Sequence, residues 1–139
     1  MAVRGFVIFE TDHPGRKAEG GALPPGRLLA EAIAAKLRRA GVDLASGVSE
    51  HDAYGWCFTV KHSGIAIWCM LQRSDTWLLI SEPRRTLLDR LRGRAFESSH
   101  RAVCKALDRA ARSLDAVRGV RWYTRDEFEA GVAGAEHPE

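Results

Sequence analysis

The chain has 139 residues with 21 basic and 18 acidic side chains, and its net charge of +3 makes it only mildly basic. That charge is weak for a dedicated nucleic-acid-binding domain, and no apolar run approaches the roughly 20 residues that a membrane-spanning helix needs. An apolar fraction of 45% is typical of a globular protein, and the length favours one domain over residues 1–139.

The first residues lack the long apolar core of a secretory signal, so we expect a cytoplasmic protein. The three cysteines show neither a CxxC motif nor zinc-ligand spacing, which predicts reduced thiols that pack as small apolar groups. Arginine strongly outnumbers lysine, and alanine is abundant. We interpret this composition as that of a GC-rich bacterial coding sequence.

The amino-terminal third predicts one strand and one helix. Val3–Phe9 is a short run with β-branched and aromatic members, which favours a strand. Residues 10–26 are rich in glycine and proline and predict an exposed, flexible loop. In Arg27–Ala40 the apolar side chains recur at helical spacing, and Gly41 follows where the helix should end. Residues 42–53 are polar and predict a connector with weak structure.

The segment Tyr54–Ile80 predicts three strands joined by two tight turns. If Ser63-Gly64 is a two-residue hairpin turn, Phe58 lies opposite Cys69. A three-residue loop would instead place Phe58 opposite Trp68. Both registers bring apolar side chains together, and we favour the first.

A second two-residue turn at Ser74-Asp75 would set Leu71 opposite Leu78 and Gln72 opposite Trp77. These registers divide the three strands into two faces. The first face is almost entirely apolar and holds Trp56, Phe58, Val60, Ile65, Ile67, Cys69, Leu71, Leu78 and Ile80. The second face holds Cys57, Thr59, Lys61, Ala66, Trp68, Met70, Gln72, Trp77 and Leu79. A face in contact with water should alternate to polar residues, so the large apolar side chains of the second face are unusual.

The carboxy-terminal part predicts three helices and a short strand. A proline suits the first turn of a helix over Arg84–Leu91, and a longer helix follows over residues 98–117. Residues 119–123 favour an edge strand. The pattern Thr-Arg-Asp-Glu at 124–127 is a capping box, which predicts a last short helix before a frayed tail at 131–139.

The predicted order β-α-β-β-β-α-α-β-α favours the α+β class. An antiparallel sheet of four to five strands, with helices packed on one face, satisfies this order within a single domain. We expect the helices that begin at Arg27, Arg84 and Ser98 on the face that carries Phe58 and Ile67.

Four large side chains of the second face predict a binding surface: Trp68, Met70, Trp77 and Leu79. Tryptophan and methionine are enriched in the buried centres of interfaces, and a large apolar patch marks an interaction site. We therefore favour a non-enzymatic protein–protein interaction domain that neutralises a toxin, chaperones a partner or self-associates as a homodimer. The alternative is that the amino-terminal loop or the carboxy-terminal segment 122–128 covers this face.

Basic side chains of the carboxy-terminal helices raise a second hypothesis, the binding of nucleic acid or another phosphate backbone. The candidate phosphate-binding residues are Arg84, Arg85, Arg90, Arg101, Lys105 and Arg109. Acidic side chains are interleaved with them, so an ordinary helix surface with ion pairs is the favoured interpretation.

A third hypothesis is a small enzyme or metal site, because Glu50, His51 and Asp52 precede one strand and His13 follows another. These side chains would converge only if the two strands are neighbours in the sheet. A solvated turn is the favoured interpretation. The chain has neither a GxSxG elbow nor a phosphate-binding glycine loop, and the sequence predicts no catalytic residue, metal or cofactor.

Overall fold

The computed structural model describes residues 2–13, 23–84, 87, 91 and 93–139. Its elements in chain order are β1 Phe6–Glu10, α1 Arg27–Arg39, β2 Asp43–His51, β3 Gly55–His62, β4 Ile65–Arg73, β5 Trp77–Pro83, α2 Gly93–Arg112, β6 Arg118–Tyr123 and α3 Arg125–Ala130. The predicted helix over Arg84–Leu91 lies largely outside the described residues, as do positions 14–22 of the predicted loop. None of the helices in the described part is long and apolar enough to cross a membrane.

The strands form one sheet in the order β2-β3-β4-β5-β1-β6, and each neighbouring pair is antiparallel. The α+β class is therefore confirmed, but the sheet has six strands and not four to five. The additional strand is β2, which occupies the region predicted as a connector. Its side chains are mostly exposed, so its sequence lacks apolar alternation, and backbone pairing with β3 holds it in place.

The first hairpin has the predicted register. Phe58 pairs with Cys69, and the turn residues Ser63 and Gly64 have φ angles of 50° and 78°. A two-residue turn with positive φ at both positions matches the twist of the strands that it joins. The turn thereby determines which face each side chain of β3 and β4 occupies.

The second hairpin differs from the predicted register by one residue. Its loop comprises residues 74–76, so Arg73 pairs with Trp77 and Leu71 with Leu79. Because side chains alternate along a strand, this shift moves Trp77 and Leu79 to the first face, where they are 0% and 1% exposed. The predicted two-residue turn is therefore wrong, and so is the placement of these two side chains on the second face.

Pairing with β1 explains this register. Phe9 pairs with Trp77 and Val7 with Leu79, and these four side chains are at most 1% exposed. A shift of β5 by one residue would carry Trp77 out of this packed row and place smaller side chains there. The partner strand is distant in the sequence, so the local turn pattern does not reveal this preference.

The helices α1 and α2 pack on the first face, which we call the helix-covered face. The core that they form with the sheet includes Leu29, Ile33 and Leu37 of α1, Val103 and Leu107 of α2, and Phe58, Ile67 and Trp122 of the sheet. Both helices thus pack on the predicted face, although α2 spans Gly93–Arg112 and not the predicted residues 98–117.

The buried indole N–H groups differ in their hydrogen bonding. Trp122 Nε1 donates to Asp108 Oδ1 over 2.8 Å, and Trp56 Nε1 donates to the Pro24 carbonyl oxygen over 2.9 Å. The N–H of Trp77 has no hydrogen-bond partner among the described residues. Trp77 therefore stabilises the core through its apolar area and not through its polar group.

We predict that Trp122→Phe lowers the free energy of unfolding by about 1–3 kcal/mol more than Trp77→Phe, because only the first variant loses a buried hydrogen bond. Urea unfolding of the two variants measures the difference. Equal losses would contradict the contrast between the two indole groups.

Candidate partner-binding face

We call the side of the sheet that faces away from α1 and α2 the open face. The strand registers place a line of apolar side chains across it, in which successive cross-strand neighbours are Cys57, Met70, Ile80, Phe6 and Tyr123. Leu78 and Ile8 form a second pair on this face, and Trp68 lies two residues from Met70 along β4. The open face therefore has a continuous apolar centre.

The side chains of this centre are only partly shielded from water. Met70 and Leu78 are 8% and 7% exposed. Phe6, Ile80 and Trp68 remain half-buried. Both long helices lie on the opposite side of the sheet, so neither α1 nor α2 covers these side chains.

The short helix α3 covers one corner of the open face. The ring centroid of Phe128 lies 5.4 Å from that of Phe6 and 5.7 Å from that of Tyr123. The helix begins with the predicted capping box: Thr124 Oγ1 accepts from the Glu127 backbone N–H, and Glu127 Oε1 accepts from the Thr124 backbone N–H. The capping box thereby holds the Phe128 ring over the corner formed by β1 and β6.

The pKa of Glu127 lies below its ordinary value of 4.5, first because its carboxylate accepts the Thr124 backbone N–H and second because it accepts from Arg4. Because folding lowers this pKa, the carboxylate contributes fully to the stability of α3 when the pH is above the ordinary pKa of 4.5. This contribution is lost as the pH falls through the lowered pKa of the folded state. We therefore predict that acidification loosens α3 and shifts the NMR ring signals of Phe128 and Tyr123.

The variant Glu127→Gln should show little of this pH dependence, whereas the neighbouring control Glu129→Gln should retain it. Ring signals in the unmodified protein that do not move with pH would contradict the role of the cap.

Charged side chains of both signs surround the apolar centre. The guanidinium carbon of Arg84 lies 4.8 Å from the centroid of the Trp68 ring, and that of Arg125 lies 5.9 Å from the Phe6 ring. Arg125 also pairs with Glu82 across the face. An apolar centre with a polar rim is the usual anatomy of a protein interface.

The structure divides the four predicted partner-binding residues between the two faces. Trp68 and Met70 lie on the open face, whereas Trp77 and Leu79 belong to the core. Their neighbours in β5 take their place beside Met70. The sequence analysis missed the contribution of β1, although its Phe-Val-Ile-Phe run, apolar on both faces, is the pattern of a central strand.

The candidate phosphate-binding residues do not converge. Arg84 lies on the open face, whereas Arg101, Lys105 and Arg109 belong to α2 on the other side of the sheet. Lys105 Nζ pairs with Glu139 Oε1 at 2.6 Å. The two remaining candidates, Arg85 and Arg90, lie outside the described residues.

The candidate acid–base cluster is also dispersed. His51 ends β2, and His13 follows β1. Three strands separate β1 from β2, a distance of about 19 Å at the usual strand spacing. His51 instead contacts Asp52, at 3.7 Å between Nε2 and Oδ2, and its ring lies edge-on 5.1 Å from Trp68. Within the described ranges, no group of three or more His, Cys, Asp or Glu residues is arranged to hold a metal ion.

The structure reveals a buried polar cluster that the sequence analysis missed. Ser81 Oγ lies 2.9 Å from His100 Nε2 and 3.4 Å from Cys104 Sγ, and it donates to the Gly5 carbonyl oxygen over 3.0 Å. A Cβ at Gly5 would lie 2.9 Å from His100 Nε2, so the close approach requires glycine.

A cavity of about 310 Å³ borders this cluster. Ser81 is only 2% exposed, and its hydroxyl already donates to the Gly5 carbonyl oxygen. This hydroxyl therefore links β5 to the residues before β1 and is poorly placed to act as a nucleophile.

The three thiols differ in their environments. Burial raises the pKa of Cys69 far above its ordinary value and raises that of Cys104 to about 12. Cys57 is half-buried and lies on the open face. Since the thiolate is the reactive form, Cys69 and Cys104 should be inert in the folded protein.

We predict that an aromatic disulfide reagent at mildly alkaline pH labels at most one thiol per folded chain and all three thiols after denaturation. The variant Cys57→Ser should lose the native labelling completely. Two or three labelled thiols in the folded protein would contradict the assignment of Cys69 and Cys104 to the core.

Comparison of the chain with protein-family models, with curated proteins and with solved structures gives no match. The candidate site is therefore interpreted from its own geometry.

Proposed function

We propose that this protein is a protein–protein interaction domain that binds its partner through the open face. The observation that carries the proposal is the apolar line from Cys57 to Tyr123, which crosses five strands. In the described part of the chain, α3 lies above one corner of this line. A partner that covered this line would remove its half-buried side chains from water, which is the main favourable term in protein association.

The chemistry of the face supports this function. Tryptophan, tyrosine and arginine contribute most often to binding energy at interfaces, and Trp68, Tyr123 and Arg84 all lie on this side of the sheet. The stacking of Arg84 on Trp68 limits the freedom of both side chains before binding. Less conformational entropy is then lost when a partner docks.

Phosphate-backbone binding has weaker support, because the described basic candidates are split between the two sides of the sheet. A sequence-independent binder of nucleic acid needs a continuous basic surface that follows the backbone.

The test compares Ile80→Asp with Arg109→Asp. Both variants introduce the same acidic residue, the first in the apolar line and the second at an exposed position of α2 on the other side of the sheet. We predict that immobilised wild-type protein and Arg109→Asp retain the same proteins from a cell extract, and that Ile80→Asp loses them.

Circular dichroism and thermal unfolding would establish that each variant is folded, and Trp68→Ser provides a second, milder change on the open face. Retention that survives both open-face variants, or that is lost with Arg109→Asp alone, would contradict the proposal and favour the helical side.

A further inference from the structure

We infer that the occupant of the open face is a second copy of this chain, which forms a dimer by face-to-face packing of the two sheets. This inference rests on the proposed function and names its partner.

The size of the face favours a broad, flat partner. Six strands about 4.8 Å apart span about 24 Å, and strands of five to nine residues give the face an outline of roughly 600 Å². A stable interface buries about 800 Å² of accessible surface on each partner, so the occupant must cover most of the face. A single helix, about 10–12 Å wide, would cover less than half of its width. A second sheet is broad enough to cover the area that α3 leaves.

The distribution of charge permits two copies to meet on this side. The open face carries both signs: Glu82 pairs with Arg125, and Asp43 lies opposite Lys61 in the register. Two copies that meet on this side can therefore set acidic side chains of one face against basic side chains of the other.

The edges of the sheet disfavour the other common route to self-association, which is strand pairing between copies. On the outer side of β6, the backbone of Trp122 exchanges two hydrogen bonds with Ala135, which occupies part of that edge. On the other edge, β2 departs from regular pairing at two points, between Leu44 and Ser46 and between Ser46 and Ser49. Such irregularities bend a strand and hinder the docking of another.

The dimer makes a specific prediction for a native side chain. Cys57 lies at one end of the apolar line and half-buried, so its thiol would lie at the interface of two packed sheets. Association should therefore protect Cys57 from alkylation without any change to the sequence.

The experiment measures the mass of the full chain by light scattering over a range of micromolar concentrations, together with the labelling of Cys57 by a maleimide. We predict a species of twice the 15.4 kDa chain mass for the wild type and for Arg109→Asp. Ile80→Asp should remain a monomer, and Cys57 should lose its labelling only where the dimer forms.

A wild-type protein that is monomeric at every concentration overturns the dimer, as does a dimer in which Cys57 is labelled as fast as in the monomer. The labelling uses the native chain, so it decides the question even if Ile80→Asp fails to fold. If the wild-type protein is a monomer but still retains proteins from an extract, and Ile80→Asp loses them, the dimer is wrong and the binding function of the open face stands. If the wild-type protein is a monomer and retains no protein from the extract, both the dimer and the proposed function are wrong.

Discussion

The structure depends on the place of β5 between β4 and β1. In this position Trp77 pairs with Arg73 of β4 on one side and with Phe9 of β1 on the other. Both pairings direct the indole ring toward α1 and α2, where it is completely buried. The alternating side chains of the same strand then point the other way, so the burial of Trp77 is also what brings Ile80 to the open face.

The central strands are apolar on both sides, and α1 and α2 cover one of these sides. In β1 the core-facing Val7 and Phe9 alternate with Phe6 and Ile8, which belong to the open face. Strands of this kind are typical of sheets covered on both sides. The protein provides part of the second cover itself, because the capped helix α3 brings Phe128 over the corner. The remaining area is where the proposed partner docks.

Features that depend on neighbouring residues could be predicted from the sequence. The register of the first hairpin follows from the conformational demands of Ser63-Gly64, and α3 follows from its capping box. Features that depend on residues distant in the sequence could not be predicted. The register of β5 depends on β1, and β2 is held by backbone pairing without an apolar pattern. For the candidate site, the sequence therefore placed Trp68 and Met70 correctly and misplaced the side chains of β5.

The order of the strands also has a consequence for how the chain is made. Residues of β1 leave the ribosome before those of the other five strands, yet their two neighbours in the sheet, β5 and β6, are synthesised much later. The hairpins of β2 to β5 contain contacts between near neighbours and are able to form while synthesis continues. The first strand must wait for β5, and contacts of such long sequence separation slow folding. Until then the apolar run of β1 has no partner strand. During this stage of synthesis β1 is an exposed apolar segment of the kind that chaperones bind.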